Sequence, residues 1–290
     1  MPSPGPLPDL AVGPPCIPGV PVALDPVVAR LTAPNPSMMT GPGTNTYVVG
    51  TDEVVVLDPG PLVQAHLDAI VDLVGGRRVR AVCVTHHHHD HGEAADELAA
   101  RLGAPVLAHG HASLRVDEAV GDGDEVVAGD VRLVAWHTPG HASDHLCFLI
   151  EPLGWLLTGD HLMEGSTVVI RPPDGDLTDY LAQVARVRDA ADLGALVPGH
   201  GRQLGDPVRC AADVLEHRAR RGEVVAAALR SLGSADAAQV RAVAYADVDV
   251  ERDEVATASC WAHLLALVTQ GAATSSGARD DPRAIFSSAR

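Results

Sequence analysis

Apolar residues recur along this chain with two periods, and the switches between them mark out its elements. Short runs rich in β-branched residues lie at Asn45 to Val49, Val54 to Leu57, Val79 to Val84, Val106 to Ala108, Val131 to Trp136, Leu146 to Ile150, Trp155 to Thr158 and Ala195 to Val197. Each is bounded by Gly, Pro or Asp and reads as a strand. Thr51-Asp52 makes a tight turn between the first two. Leu62 to Val74, Glu93 to Leu102 and Leu177 to Ala191 instead space their apolar residues as helices do. Asp206-Pro207 supplies N-cap and first-turn chemistry for a helix reaching about Leu232, and helical stretches follow at roughly Ala235 to Ala246 and Glu254 to Gln270.

The ends read differently. Residues 1–26 are crowded with proline and predict an extended lead-in, while residues 271–290, rich in Ser, Gly, Ala and Asp, predict a disordered tail. The expected division is lead-in 1–26, catalytic body 27–206, helical domain 207–270 and tail 271–290.

One stretch breaks the pattern. Thr85-His86-His87-His88-His89-Asp90-His91 follows the strand at 79–84 and precedes the helix at 93–102. Imidazoles and a carboxylate are poor core groups unless paired or bound to metal, so the cluster predicts a metal site. His86 and His88, two apart in an extended loop, point the same way and can share an ion. Asp90 and His91, at the turn into the helix, point to a second position. His87 and His89 face away and read as exposed or supporting residues. A purification tag would lie at a terminus without an interrupting aspartate.

Charge and cysteine content narrow the class. A formal net charge of −17, with arginine as the only basic residue besides histidine, argues against a polyanion-binding face and so against a nuclease. Cys16, Cys83, Cys147, Cys210 and Cys260 are scattered, odd in number and form no C-x-x-C pair, as a reducing compartment allows. There is no secretory signal pattern and no membrane-length apolar run, so a soluble cytoplasmic protein is expected.

Other residues carry open readings. Gly41-Pro42-Gly43-Thr44-Asn45 is either a plain tight turn or a loop bringing the Asn45 amide to a ligand. Asp58 either orients a histidine or caps its turn. His109 and His111 read as surface histidines. His145 reads as supporting the site or contacting substrate, and Ser166 and Thr167 as hydroxyls at the site mouth.

The spacing His-x-His-x-Asp-His resembles the signature of the metallo-β-lactamase superfamily. Three downstream segments, each a strand then glycine then a ligand type, match its order: Gly140-His141, Gly159-Asp160 and Gly199-His200. The resemblance implies a four-layer αββα sandwich with two zinc ions, iron or manganese fitting the same donors. It places His86, His88 and His141 on one ion, Asp90, His91 and His200 on the other, and Asp160 between them. Gly41 to Tyr47, Thr138 to His145, Ser166 to Val169 and Pro172 to Asp176 are similar to the beta-lactamase-like protein 2 branch. Members of that branch end in a small winged-helix domain, whose wing strand pair reads here as replaced by residues 271–277.

Features of neighbouring families are missing. Asp160 stands where the commonest zinc β-lactamases have cysteine, and only 40 residues separate Asp160 from His200, too few for a nuclease's inserted domain. The expected function is hydrolysis of a small-molecule ester, thioester or lactone by a metal-bridging hydroxide, with Asp90 and Asp160 catalytic. The alternative, attributed to some branch members, is a metal-dependent endoribonuclease acting on single-stranded RNA.

Overall fold

The computed structural model describes residues 4–246 and 253–289. Its body is two seven-stranded mixed sheets stacked face to face. The first sheet runs β2 (Val22–Asp25), β3 (Val28–Thr32), β4 (Asn45–Gly50), β5 (Glu53–Leu57), β6 (Arg78–Cys83), β7 (Val106–Ala108), β8 (Glu118–Ala119). The second runs β1 (Ala11–Val12), β14 (Gln203–Leu204), β13 (Ala195–Pro198), β12 (Trp155–Gly159), β11 (Leu146–Ile150), β10 (Val131–His137), β9 (Glu125–Ala128). Helices α1 (Gln64–Val74), α2 (His89–Gly92) and α3 (Ala95–Leu102) follow strands of the first sheet; α4 (Leu177–Asp189) and α5 (Pro207–Leu232) belong to the second half.

Side-chain alternation builds the layers. Val55 and Leu57 of β5 face inward and meet Leu133 of β10 and Phe148 of β11, forming the core between the sheets. Val54 and Val56 face outward beneath Leu67 and Ile70 of α1 and Leu98 of α3. Across the molecule, Leu156 and Leu196 face outward beneath Tyr180 and Val184 of α4 and Val214 of α5. Helix, sheet, sheet and helix make the expected four-layer αββα sandwich. Strands buried on both faces account for apolar runs that show no polar alternation.

Both expectations about the chain ends need correction. The stretch 1–26 is more than an extended lead-in, because β1 pairs with β14 and β2 pairs with β3, so each sheet takes an edge strand from it. Proline carbonyls still accept hydrogen bonds, and the buried Arg30 guanidinium donates to those of Pro14 and Pro15 at 3.0 and 2.7 Å, fixing the segment.

The tail 271–290 is ordered through residue 289. β16 (Ala273–Ser275) and β17 (Phe286–Ser288) pair as a hairpin, and β17 also pairs with β15 (Ser234–Ala235). Ala273, Ala284 and Phe286 bury against α5, α6 (Ala237–Ala244) and α7 (Asp253–Thr269). Three anchors spread over fourteen polar-rich positions leave little apolar periodicity to read. The strand pair read as replaced by residues 271–277 is therefore present as β16 and β17, the C-terminal order is helix, strand, helix, helix, strand, strand, and α7 is buried on every side over Cys260 to Ala266.

Candidate metal centre

Four strand ends converge at one edge of the sandwich. β6 leads into His86, β10 into His141, β12 into Asp160 and β13 into His200, while Asp90 and His91 sit on the one-turn helix α2. The approach is so close that glycine is needed beside the ligands. A Cβ on Gly159, whose φ is +46°, would lie 2.8 Å from Thr85 Oγ1 and 2.9 Å from His145 Nε2. One on Gly199 would lie 2.7 Å from His91 Cε1.

The structure brings all seven sequence-predicted ligand residues into overlapping groups: His86, His88 and His141; His86, His91 and Asp160; Asp90, His91 and His200. In the first, His88 Nδ1 lies 2.9 Å from His86 Nε2 and 3.0 Å from His141 Nε2. In the last, His200 Nε2 lies 3.3 Å from Asp90 Oδ2 and 3.3 Å from His91 Nε2. The Asp160 carboxylate faces both, with Oδ1 3.4 Å from His91 Nε2 and 3.3 Å from His200 Nε2, and Oδ2 3.6 Å from His141 Nε2. Tetrahedral bonds of about 2.1 Å set neighbouring donors about 3.4 Å apart.

Hydrogen bonds behind the rings fix which nitrogen faces inward. His91 Nδ1 donates to Asp58 Oδ2 at 2.8 Å, His141 Nδ1 to the Val169 carbonyl at 2.7 Å, and His200 Nδ1 to the Gly43 carbonyl at 3.4 Å. Thr85 Oγ1 gives its proton to Asp58 Oδ2 at 2.9 Å and so accepts from His86 Nδ1 at 3.0 Å. These four histidines then aim Nε2 at one another and at carboxylate oxygens, and each Nε2 is a bare lone pair once it carries no proton. Asp160 Oδ1 is buried and receives no hydrogen bond among the described residues. Converging lone pairs and an orphaned carboxylate oxygen are repulsive alone and suit a cation, so these residues fit a metal.

The protonation tendencies agree. Burial pushes His86 well below the usual imidazole range and His88 down to about 4, leaving neutral donors. Burial also opposes charge on His91 and His200, but Asp160 outweighs it, raising His91 well above its usual value and His200 to about 9. Burial disfavours an ionised Asp160, yet His200 and His91 hold its carboxyl well below the usual range. A metal dication supplies the positive charge these carboxylates attract and displaces those protons.

The open readings resolve as follows. Asp58 orients a histidine, receiving the Thr85 backbone N–H at 2.8 Å as well as His91. Asn45 is buried in β4; its amide donates to the carbonyls of Pro198 and Gly201 at 3.0 and 2.8 Å, clamping the turn that carries His200. His145 is buried too, and its Nε2 accepts the Asp160 backbone N–H at 3.1 Å while its Nδ1 meets Thr138 Oγ1 at 2.8 Å. Asn45 and His145 hold the segments that carry His200 and Asp160, and neither lines the two cavities over the centre. His87 does not simply turn away: it meets Asp144 Oδ1 at 2.8 Å and lines the cavity over the centre. His89 is exposed, and His109 stacks on His137 away from the cavity.

Sequence reasoning misses Thr85 and Arg171. Thr85, adjacent to the histidine run, joins Asp58 to His86; Arg171, outside any motif, lines a cavity of about 360 Å³ floored by His88, His141, Asp160 and His200. Ser166 and Thr167 line an adjoining cavity of about 380 Å³ that shares His141 and Asp160.

Asp58→Asn is expected to weaken metal binding about 10- to 100-fold, the usual cost of losing a residue behind a ligand. Asparagine tolerates the left-handed backbone at this position, where φ is +49°, so the change removes charge without straining the turn. Competition with a chromogenic chelator measures it, and an unchanged affinity would disconnect Asp58 from the centre.

A two-sheet sandwich with a histidine and aspartate centre at its edge defines a class of metal-dependent hydrolases. The family model of the metallo-beta-lactamase superfamily matches residues 39–200, and the chain belongs to that superfamily. A lactamase-like protein of Aspergillus niger is 31% identical over 216 residues, 70% of this chain and 63% of that protein, so this chain spans less than two thirds of its length. An atrochrysone carboxyl ACP thioesterase of Aspergillus chevalieri is 32% identical over 71% of this chain and 67% of its own. The beta-lactamase-like protein 2 homolog of Caenorhabditis elegans is 27% identical over 77% and 78%. Among solved structures, a beta-lactamase domain protein of Burkholderia ambifaria superposes with a TM-score of 0.80 at 21% identity, covering 93% of this chain and 94% of its own. A metallo-beta-lactamase family protein of Thermus thermophilus gives 0.77 at 23%, covering 92% and 100%. At these identities the two structures speak for the fold alone.

Proposed function

We propose that this hydrolase uses two zinc ions to cleave a small ester, thioester or lactone, and that a thioester is its substrate. The observation that carries the reading is the Asp160 carboxylate, which turns one oxygen to each of two histidine groups on the floor of a cavity. When bound, such a metal pair supplies an activated water at neutral pH and Lewis-acid stabilisation of charge developing on the carbonyl oxygen.

The chain's own residues do the rest. Asp58, Thr85 and the Val169 and Gly43 carbonyls hold the rings in their working tautomers. Asp90 commits Oδ2 to His200 and His91, leaving Oδ1 to receive the proton that the attacking water gives up. Burial opposes its charge, but a protonated His200 beside it holds the carboxyl at about 2, and a metal in place of that proton would act in the same direction. So weak a base orients water and passes a proton on rather than keeping it. A thiol of pKa about 8.5 leaves as thiolate with little help, so a thioester asks least of this residue set. The thioesterase names among the relatives support that choice.

The endoribonuclease alternative is weakened by the net charge of −17 and by the burial of α7, the helix a winged-helix domain would present to nucleic acid. Purified protein reconstituted with zinc and assayed side by side on thioesters, esters, lactones and labelled single-stranded RNA tests the assignment. The expected result is near two metals per chain, metal-dependent thioester hydrolysis and intact RNA. RNA cleavage without acyl hydrolysis would reverse it.

A further inference from the structure

The two cavities meet over the centre and differ in chemistry. They share Met39, His141, Asp160 and Val169. One arm is walled by Met38, Met163, Val168 and Val255, the last contributed by α7, together with Ser166 and Thr167. The other is walled by Thr40, His87, Arg171 and Asp174. Met38 and Met39 are 58% and 49% exposed, an apolar lip at the entrance and flexible enough to fit varied chains.

Arg171 is the cation in this second arm. No hydrogen bond or ion pair to its guanidinium is present among the described residues, whereas Arg202 nearby is engaged by Glu164. Its backbone is fixed. Gly175 N–H donates to the Arg171 carbonyl at 2.9 Å and Asp176 N–H to the Gly140 carbonyl at 2.8 Å, and Pro172 and Pro173 stiffen the turn between. A Cβ on Gly175 would lie 2.8 Å from Arg171 N and 3.1 Å from the Gly140 oxygen, so this loop is pressed against the residue preceding His141. Two residues upstream of Arg171, the Val169 carbonyl holds His141 Nδ1. The loop that orients a ligand histidine therefore carries beside it Arg171, whose backbone is held and whose exposed guanidinium is unengaged among the described residues. Asp174 and Asp90 share the arm; the Ser143 hydroxyl and backbone N–H donate to the Asp174 carboxylate, and Asp90 turns Oδ2 to His200.

We infer that the substrate is a thioester with a polarity along its length: an apolar chain in the Met38, Met163, Val168 and Val255 arm, and an anionic oxygen group paired with Arg171 in the other. This deepens the thioesterase reading and rests on it. A planar guanidinium recognises carboxylate and phosphate alike. The anion is therefore either a carboxylate on the acyl part or a phosphate on the carrier thiol.

Three thioesters with a common scissile bond separate these sources: a neutral acyl N-acetylcysteamine thioester, its counterpart ending in a carboxylate, and the neutral acyl group on phosphopantetheine. Their uncleavable thioether analogues are titrated calorimetrically in parallel. Wild-type protein is expected to favour one anionic form over the neutral form about 10-fold in KM and Kd, in keeping with a charge-assisted pair. Arg171→Ala should erase that preference and Arg171→Glu invert it. Equal affinity for all three forms in the wild type, or an equal loss on neutral and anionic forms in Arg171→Ala, overturns the inference. If no thioester is hydrolysed yet an anionic analogue binds in an Arg171-dependent way, the thioesterase reading falls while the anion site stands.

Discussion

Asp160→Ala is expected to lower turnover about 10³-fold or more, and to reduce metal content below that of the unsubstituted protein. The geometry sets the size. Oδ1 faces His91 and His200 while Oδ2 faces His141, so one truncation removes an oxygen donor from both groups. Losing several kcal/mol of charge stabilisation at about 1.4 kcal/mol per decade gives the expected range. Elemental analysis and kcat on the same preparation check it. Asp160→Asn is the companion variant: it keeps one carbonyl oxygen, so it should retain more metal than alanine and still fall far short in rate. A full metal complement in Asp160→Ala with a rate within tenfold of the parent would show that the carboxylate does not join the two groups.

The centre is more legible in the sequence than the frame behind it. Five histidines and an aspartate packed into residues 86–91 have no use in a core, and their spacing alone indicates two ligand directions. His141, Asp160 and His200 need the family pattern, because a single histidine or aspartate after a glycine has many ordinary uses. Asp58 cannot be assigned from sequence, since a carboxylate ending a strand caps a turn or orients a ring with the same residues; only the 2.8 Å contact to His91 Nδ1 decides. His87, read as exposed or supporting, is half-buried against Asp144 and also lines the cavity, which alternation does not foresee because residues 85–87 form a bend rather than an extended strand.

The edges of the fold are hidden for a related reason. β3 follows a proline-rich stretch, and Val28 and Leu31 do not alternate because both faces of that strand are covered. At the other end, Phe286 anchors β17 almost alone in a polar stretch. The C-terminal elements also do more than append. Ala262 and Ala266 of α7 pack in the core shared by α4 and the second sheet, and Val255 reaches the cavity beside Asp160.

Asp90→Asn is expected to keep much of its metal and lose about 10²- to 10⁴-fold in rate, the span over which a positioned proton acceptor contributes. The amide keeps a carbonyl oxygen of the same size to face His200, where Asp90 Oδ2 now lies at 3.3 Å, but its other end is an NH₂ that cannot accept a proton. Metal analysis and kcat measured together separate the two consequences; a rate near that of the parent removes Asp90 from proton handling, and loss of both metals makes it a ligand first. A second comparison tells what the proton is for. An oxygen leaving group must be protonated and a thiolate need not be near neutral pH. If Asp90 relays the proton onward, the variant should lose more on an oxygen ester than on the thioester of the same acyl group. Equal losses on the two would confine Asp90 to orienting the attacking water.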